Sequence, residues 1–452
     1  MELKRKIYDQ LAEWKGKYSD KHALLVEGAR RIGKSTACKR FAEKNYKSYI
    51  IIDFAKANKK TKDNFDNLDN LDIFFQNLSL LYNTRLYRNE SLIIFDEVQK
   101  FPRAREAIKY LVNDGRYSYI ETGSLISIKE NVNDIVIPSE EHKIKMYPLD
   151  FEEFLWAANE LVLIDYIKEC VKKKQPLDDI YHKKAMRLFK EYILVGGMPQ
   201  SVVAYFENSR DFNASDMAKR EILSLYKNDI FKASKKYSSK ASALFENIPG
   251  YLSTHEKKVV LSKIDSNSTF SKYDEPLFWL DDSMICNLCF KCTDPNVGFA
   301  LNKDDSSVKC YMGDTGLLVS HTFSENEIVS NGLYKNIMEG KLSLNEGMFY
   351  ENVIAQMLVS KGRKLYFYAH YSKEKGRNDI EIDFMISNES KTNLKVCPIE
   401  VKSSQNYTTS SYDAFKKKFG NRVANSYIVH PKQFSIDEKG MKVPPYMFFF
   451  ML

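Results

Sequence analysis

The chain has 452 residues, of which 44% are hydrophobic and 28% charged, and it carries a formal net charge of +8. That length is too great for one hydrophobic core and predicts about three domains of ordinary folded composition. Seven cysteines, an odd number in so long a chain, exclude a disulfide framework, and apolar runs such as Met447–Leu452 fall far short of the roughly 20 residues a membrane span needs.

The opening Met1-Glu2-Leu3-Lys4-Arg5-Lys6 leads into a helical pattern, so no secretory signal is expected and a cytoplasmic protein is. Apolar strands are expected at Ala23–Val26, Tyr49–Phe54, Ser91–Phe95 and Tyr117–Thr122, with helical patterns between them. This βαβ alternation predicts a parallel sheet covered by helices over residues 1–150. Lys56–Asn70, rich in Asn, Asp and Lys, reads as a polar surface loop. Residues 151–235 read as helical. Residues 236–340 alternate short helices with strands, compatible with a small winged-helix-like region. Residues 341–452 read as a second α/β domain, a helix followed by strands at Leu365–His370, Glu381–Ile386, Cys397–Val401 and Ser426–Val429.

Cys286, Cys289 and Cys292 have the C-x-x-C-x-x-C spacing of a metal site. Met284–Cys292 is better read as a strand, in which Cys289 points away from the other two. Buried reduced thiols are the expectation.

The chemistry begins after the first strand. Gly28-Ala29-Arg30-Arg31-Ile32-Gly33-Lys34-Ser35 is G-x-x-x-x-G-K-S between a strand and a helix that continues through Thr36. Glycines let the backbone wrap phosphates, its N–H groups form an anion nest, and the helix N-terminus adds partial positive charge. Lys34 would bridge the β- and γ-phosphates of ATP, and Ser35 would coordinate Mg²⁺. The strand Leu92-Ile93-Ile94-Phe95 ends in Asp96-Glu97. Adjacent carboxylates closing a buried strand are costly without a cation, so Asp96 is read as holding Mg²⁺ and Glu97 as polarising the attacking water. Glu directly after Asp favours hydrolysis over small-molecule kinase chemistry. The next strand ends in Thr122-Gly123-Ser124, and Ser124, rather than Thr122, is the expected γ-phosphate or water contact.

These motifs resemble a family. With Met146–Leu155, Gly196-Gly197-Met198-Pro199, Tyr311–Leu318 and Pro398–Ser403, the chain is similar nearly throughout to bacterial and archaeal AAA-type ATPases with a C-terminal domain of unknown function. The resemblance implies an α/β fold with an AAA-like P-loop core, a helical lid, a winged-helix-like region and a C-terminal restriction-endonuclease-like α/β domain. It also implies that Gly197 and Pro199 touch adenine. The residues themselves equally allow a Gly-Gly helix stop followed by Pro, with no ligand. An arginine finger would come from a neighbour or another domain, with Arg103, Arg105, Arg210 and Arg220 as candidates.

Near the end, Asp383 lies on one expected strand and Glu400-Val401-Lys402 on the next. Side chains repeat every two residues along a strand, so Glu400 and Lys402 share a face. Asp383 alongside them makes the D…E-x-K arrangement of restriction-endonuclease-like folds. There the carboxylates bind Mg²⁺ and the lysine steadies a hydroxide or phosphate oxygen. Glu351, on the preceding helix, resembles the additional acid often found there. Asp383, Glu400 and Lys402 are thus candidate catalytic residues, with Glu351, Asp383 and Glu400 as metal ligands. Between Lys391 and Lys432 the only acids are Glu400 and Asp413, a basic excess that suits either a solvated face or a DNA or RNA partner.

Two functions follow. In the first, ATP hydrolysis drives a switch or remodelling action coupled to a nuclease-like domain acting on nucleic acid. In the second, the C-terminal domain is a non-catalytic DNA- or protein-binding module. Oligomers are allowed by either, and no membrane is expected. A P-loop kinase fits poorly with Glu97 and the additional domains.

Overall fold

Parallel strands that are buried on both faces must be nearly continuous in apolar residues, and four runs of this chain are. The computed structural model describes residues 1–123, 139–232, 238–261, 273–325, 331–339, 346–374, 376–387 and 395–452, so Ser124 lies outside the described residues. The chain divides into two units: Arg5–Tyr147 with Asp282–Met284, and Met1–Lys4, Pro148–Asp281 and Ile285–Leu452.

In the first unit, helix α1 (Ile7–Lys17) precedes β1 (Ala23–Glu27), α2 (Lys34–Asn45), β2 (Ser48–Asp53), α3 (Leu71–Leu81), β3 (Ser91–Asp96), α4 (Pro102–Asp114), β4 (Ser118–Gly123) and β5 (Glu141–Lys145). The strands form one parallel sheet in the order β2-β3-β4-β1-β5. Ile93, Phe95 and Tyr119 pack on one face with Ala104, Ala107, Ile108 and Leu111 of α4. The opposite alternation turns Asp96 and Thr122 to the other face, at the carboxyl ends of adjacent strands. The four expected strands are all present. The fifth, β5, was not foreseen, because a charged edge strand such as Glu-His-Lys-Ile-Lys carries no apolar run.

The expected surface loop at Lys56–Asn70 is corrected by the structure. It contains a short helix, Lys59–Asp63, capped by Asn58, whose side chain accepts the Thr61 N–H at 2.9 Å. A 3₁₀ turn follows at Asn64–Asn67. Phe65, fully buried against Phe54, Phe74, Phe95 and Phe101, pins this polar segment to the core. One aromatic outweighs the composition around it.

On the α4 face the sheet buries acids as well. Arg105 of α4 makes two 2.8 Å bonds to Glu141. Beside them Glu121 is fully buried, and neither carboxylate oxygen has a hydrogen-bond partner among the described residues. Burial first, and Glu141 second, push the Glu121 carboxyl well above the usual range, which favours its protonated form in the fold. In the unfolded chain this proton leaves near the ordinary value of 4.5. Its contribution to stability is therefore complete below that value and is lost as pH rises toward the folded one. Glu121→Gln mimics the protonated form. Its melting temperature should fall less than wild type's between about pH 5 and 8, as thermal melts across that range would show; parallel pH profiles would mean Glu121 is ionised in the fold.

The second unit begins with helices α5 (Phe151–Ala157), α6 (Leu161–Lys173), α7 (Asp179–Val195), α8 (Pro199–Glu207) and α9 (Phe212–Lys232). Asp150 starts α5 with a capping box shared with Glu153. Then come α10 (Ser238–Glu246), α11 (Ile248–Leu252), α12 (Asp274–Asp282), β6 (Cys286–Cys292), β7 (Lys303–Met312), α13 (Thr315–Thr322), α14 (Asn331–Met338) and α15 (Glu346–Ser360). The C-terminal part adds β8 (Leu365–Ser372), β9 (Arg377–Ile382), β10 (Phe384–Ser387), β11 (Val396–Val401), α16 (Ser410–Phe419), β12 (Tyr427–Val429), β13 (Ser435–Asp437), β14 (Gly440–Val443) and α17 (Pro445–Met451).

Two sheets organise these strands, β7-β6-β8-β9 and β10-β11-β12-β14-β13. The β6–β7 hairpin of the expected winged-helix-like region pairs in parallel with β8, through Cys289–Leu365 and Tyr366–Phe290. A boundary at residue 340 therefore runs through a continuous sheet. The strand expected at Glu381–Ile386 breaks at Asp383, where β9 leaves its partner β8 and β10 joins β11. The strand reading of Cys286–Cys292 holds. All seven cysteines are buried free thiols, with Cys286 next to Cys310 and Cys289 near Lys309. Among the described residues no helix is long and apolar enough to cross a membrane.

Candidate functional site

The loop between β1 and α2 is shaped by its glycines. A Cβ on Gly28 would stand 2.5 Å from the Met146 carbonyl oxygen and 2.4 Å from Ile32 Cδ1, closer than side chains tolerate. Gly33, at φ 92°, turns the chain into α2, and Arg31 is also left-handed at φ 70°. Arg5 braces the loop, donating to the Ile32 carbonyl at 3.1 Å and to the Tyr147 carbonyl at 2.7 Å. Lys34 lies against the loop, its ammonium donating to the carbonyls of Gly28 at 2.9 Å and Ala29 at 2.8 Å. Burial pulls its pKa down to about 8 against the opposing pull of Glu97 and Asp96.

One oxygen gathers the rest. Asp96 Oδ1 accepts the Ser35 hydroxyl at 2.7 Å and also the Thr122 hydroxyl. Glu97 sits left-handed at φ 55°, and its carboxylate accepts the Gln99 side-chain N–H at 2.6 Å. A desolvated ammonium, a loop too tight for side chains and a hydroxyl already against a carboxylate fit a magnesium–triphosphate. Ser35 and Asp96 are the residues that would hold the metal, with Lys34 and the loop N–H groups of 28–36 on the phosphates.

In the second unit, Gly196 at φ 79° ends α7 and Pro199 opens α8. Gly197 donates its N–H to Asp314 at 2.6 Å, and its carbonyl accepts the Leu149 N–H at 2.6 Å. A Cβ on Gly197 would lie 2.1 Å from the Leu149 oxygen. Both backbone polar groups of Gly197 are thus engaged inside the unit. That matches the reading of a helix stop followed by Pro.

The C-terminal residues converge. Asp383, at the bend between β9 and β10, accepts the Val401 N–H at 2.8 Å. Glu400 and Lys402 share a face of β11 and pair at 2.5 Å. Buried Glu351 accepts the Tyr311 hydroxyl at 3.1 Å and pairs with Lys257. Lys309, fully buried on β7, stands 3.3 Å from Glu381 and 3.9 Å from both Asp383 and Glu351. Burial pulls Lys309 down, but Glu351, Glu381 and Asp383 outweigh it and hold its ammonium above the ordinary range. Burial, with Glu351 adding to it, pushes Asp383 up to about 7. Among the described residues no three His, Cys, Asp or Glu side chains are grouped to hold a metal ion. The carboxylates expected as a metal set, Glu351, Asp383 and Glu400, meet here, and each faces an ammonium.

Residues 20–155 match the family described as an AAA domain (AAA_14). Residues 186–327 match a domain of unknown function (DUF8612), and residues 346–449 another (DUF4143). No curated protein matches. Similar solved structures include the Walker-type ATPase paby2304 of Pyrococcus abyssi, at 15% identity over 71% of this chain and 96% of that one, with a TM-score of 0.41. C. elegans PCH-2 is similar at 16% identity over 49% of this chain and 70% of that one, with a TM-score of 0.27. Drosophila ORC bound to DNA is similar at 13% identity over 70% and 94%, also with a TM-score of 0.27. The chain contains an AAA-type P-loop ATPase domain.

Within that AAA domain, Arg105 is spent on Glu141 and is buried, which removes it as a finger. Arg103 pairs with the exposed Asp66. Outside the domain, Arg210 pairs with Glu191, and Arg220 pairs with Asp216 and donates to the Phe323 carbonyl. Arg103, at 52% side-chain exposure against at most 36% for the others, is the candidate best placed to reach another molecule.

Sequence reasoning passed over Arg5, Thr122, Lys257 and Lys309. Thr122 is marked only by the pairing of β3 with β4: Phe95 and Glu121 are in register, so Asp96 and Thr122 are neighbours on the same face. No local pattern marks the other three. The family over 346–449 is one of unknown function, and the nuclease likeness of that region is not given by the match.

Proposed function

We propose that this protein binds ATP and hydrolyses it with Mg²⁺, and that turnover drives a switch or remodelling action of its C-terminal region. The Asp96 oxygen shared by Ser35 and Thr122 carries the reading, because the acid read as holding the metal, the loop hydroxyl and the neighbouring strand end meet at one point. When bound, magnesium offsets phosphate charge. Lys34 then exchanges its neutral carbonyl partners for phosphate oxygens, Glu97, oriented by Gln99, accepts a proton from water, and Thr122 holds Asp96 in place.

The C-terminal domain is read as a restriction-endonuclease-like scaffold on the convergence of Asp383, Glu400 and Lys402. The lysines facing its carboxylates favour the reading in which it binds DNA, RNA or a protein partner without cutting. Cleavage that disappears in Lys402→Ala and Asp383→Ala would restore the nuclease reading.

The test of the ATPase is phosphate release with and without magnesium. Asp96→Asn is expected to lower the magnesium-dependent rate by about 100-fold or more. A variant that keeps wild-type turnover would remove Asp96 from the metal's shell.

A further inference from the structure

Four carboxylates and three ammonium groups meet where β7, β9, β11 and α15 come together. Glu351, Glu381, Asp383 and Glu400 face Lys257, Lys309 and Lys402. We infer that this C-terminal ion cluster works without a divalent cation, because Lys309, backed by Lys257, supplies from within the fold the positive charge a metal would bring. The inference rests on the non-cutting reading of this domain and gives that reading a cause.

Position is the first reason. The Lys309 ammonium lies 3.3 to 3.9 Å from three carboxylates at once, which is the central place a shared cation would take. It has no other place to go. Its side chain is fully buried, on a strand that pairs with β6 at this point through Cys289, and its ammonium lies 5.0 Å from the centre of the Phe367 ring. Lys257 holds Glu351 from another side, and the Tyr311 hydroxyl takes that carboxylate's second oxygen. Asp383 gives one oxygen to the Val401 N–H.

Charge is the second. With every group ionised the cluster carries a single negative charge, and a proton on Asp383 would make it neutral. A divalent ion added to the same buried space would leave it positive, at the cost of desolvating the ion. Magnesium also demands oxygen ligands in near-octahedral array at about 2.1 Å. Here Glu351, Glu381 and Asp383 already turn oxygens to ammonium, hydroxyl and amide donors, and Glu400 turns one to Lys402 while its other oxygen is buried without a partner among the described residues.

Manganese, which reports its own binding by electron paramagnetic resonance, tests this in the full-length, nucleotide-free protein carrying Asp96→Asn to silence the P-loop. No site tighter than about 1 mM is expected, and melting should be the same in EDTA as in magnesium. One equivalent of tightly bound Mn²⁺ that vanishes when Asp383→Asn is added would overturn the inference. In the same background Lys309→Met should melt lower, and Mn²⁺ should raise it again as the cation takes the vacated place. A folded Lys309→Met protein indifferent to Mn²⁺ would also count against it. Should that variant fail to fold, Lys257→Met poses the same question at Glu351, with the same two outcomes. DNA or RNA nicking by a protein that binds no Mn²⁺ would sink the non-cutting reading and leave the metal-free cluster standing.

Discussion

Lys34→Ala is expected to weaken ATP binding by about 2–5 kcal/mol, or roughly 30- to several-thousand-fold. The two hydrogen-bond acceptors of the Lys34 ammonium, the carbonyls of Gly28 and Ala29, are neutral and belong to the loop itself. The charge is therefore buried without a carboxylate in contact, and burial holds its pKa down to about 8. A depressed lysine pKa means the fold bears a cost for keeping the charge at neutral pH. Such a cost is offset when phosphate oxygens arrive. The same reasoning separates this role from a merely structural one. Removing the ammonium relieves desolvation as it removes two hydrogen bonds, so the nucleotide-free melting temperature should stay near wild type. Titration with a fluorescent ATP analogue, paired with melts, checks both halves. Retained binding with a large drop in melting temperature would make Lys34 a staple of the loop.

The P-loop was legible because its chemistry is local: eight consecutive residues, a strand before and a helix after, specify backbone shape and charge together. The acid pair Asp96-Glu97 was legible for a related reason, since buried strands do not end in two carboxylates without a cation nearby. What escaped was set by partners distant in sequence. Thr122's place beside Asp96 escaped because only the pairing of β3 with β4 brings the two together. Phe65 was lost within a polar stretch because its burial depends on Phe54, Phe95 and Phe101. The D…E-x-K spacing brought Asp383, Glu400 and Lys402 together as expected. Yet the same spacing is silent about Lys309, some 70 residues earlier on another strand, which changes what that cluster can hold.

Glu97→Gln should leave ATP affinity within a few-fold of wild type while turnover falls by about 10²–10⁴. The residue's backbone is the starting point. A glutamate at φ 55° occupies a region that L-residues enter at a cost of about 1–2 kcal/mol. The turn that imposes it carries the chain from Asp96 into a 3₁₀ turn at Val98–Lys100 and swings the carboxylate out of the strand's line. Gln99, buried, then fixes the carboxylate through a 2.6 Å hydrogen bond. A strained backbone and a dedicated donor together aim one carboxylate, which is what a base acting on a water needs. Glutamine keeps the size and can still accept from Gln99, but it cannot take the proton. Binding made through Lys34, Ser35 and the loop N–H groups is untouched by that exchange, so the variant should trap bound ATP. Nucleotide titration and single-turnover phosphate release read the two quantities separately. Loss of both together would make Glu97 part of the loop's architecture, and wild-type turnover in the variant would move the base to another group.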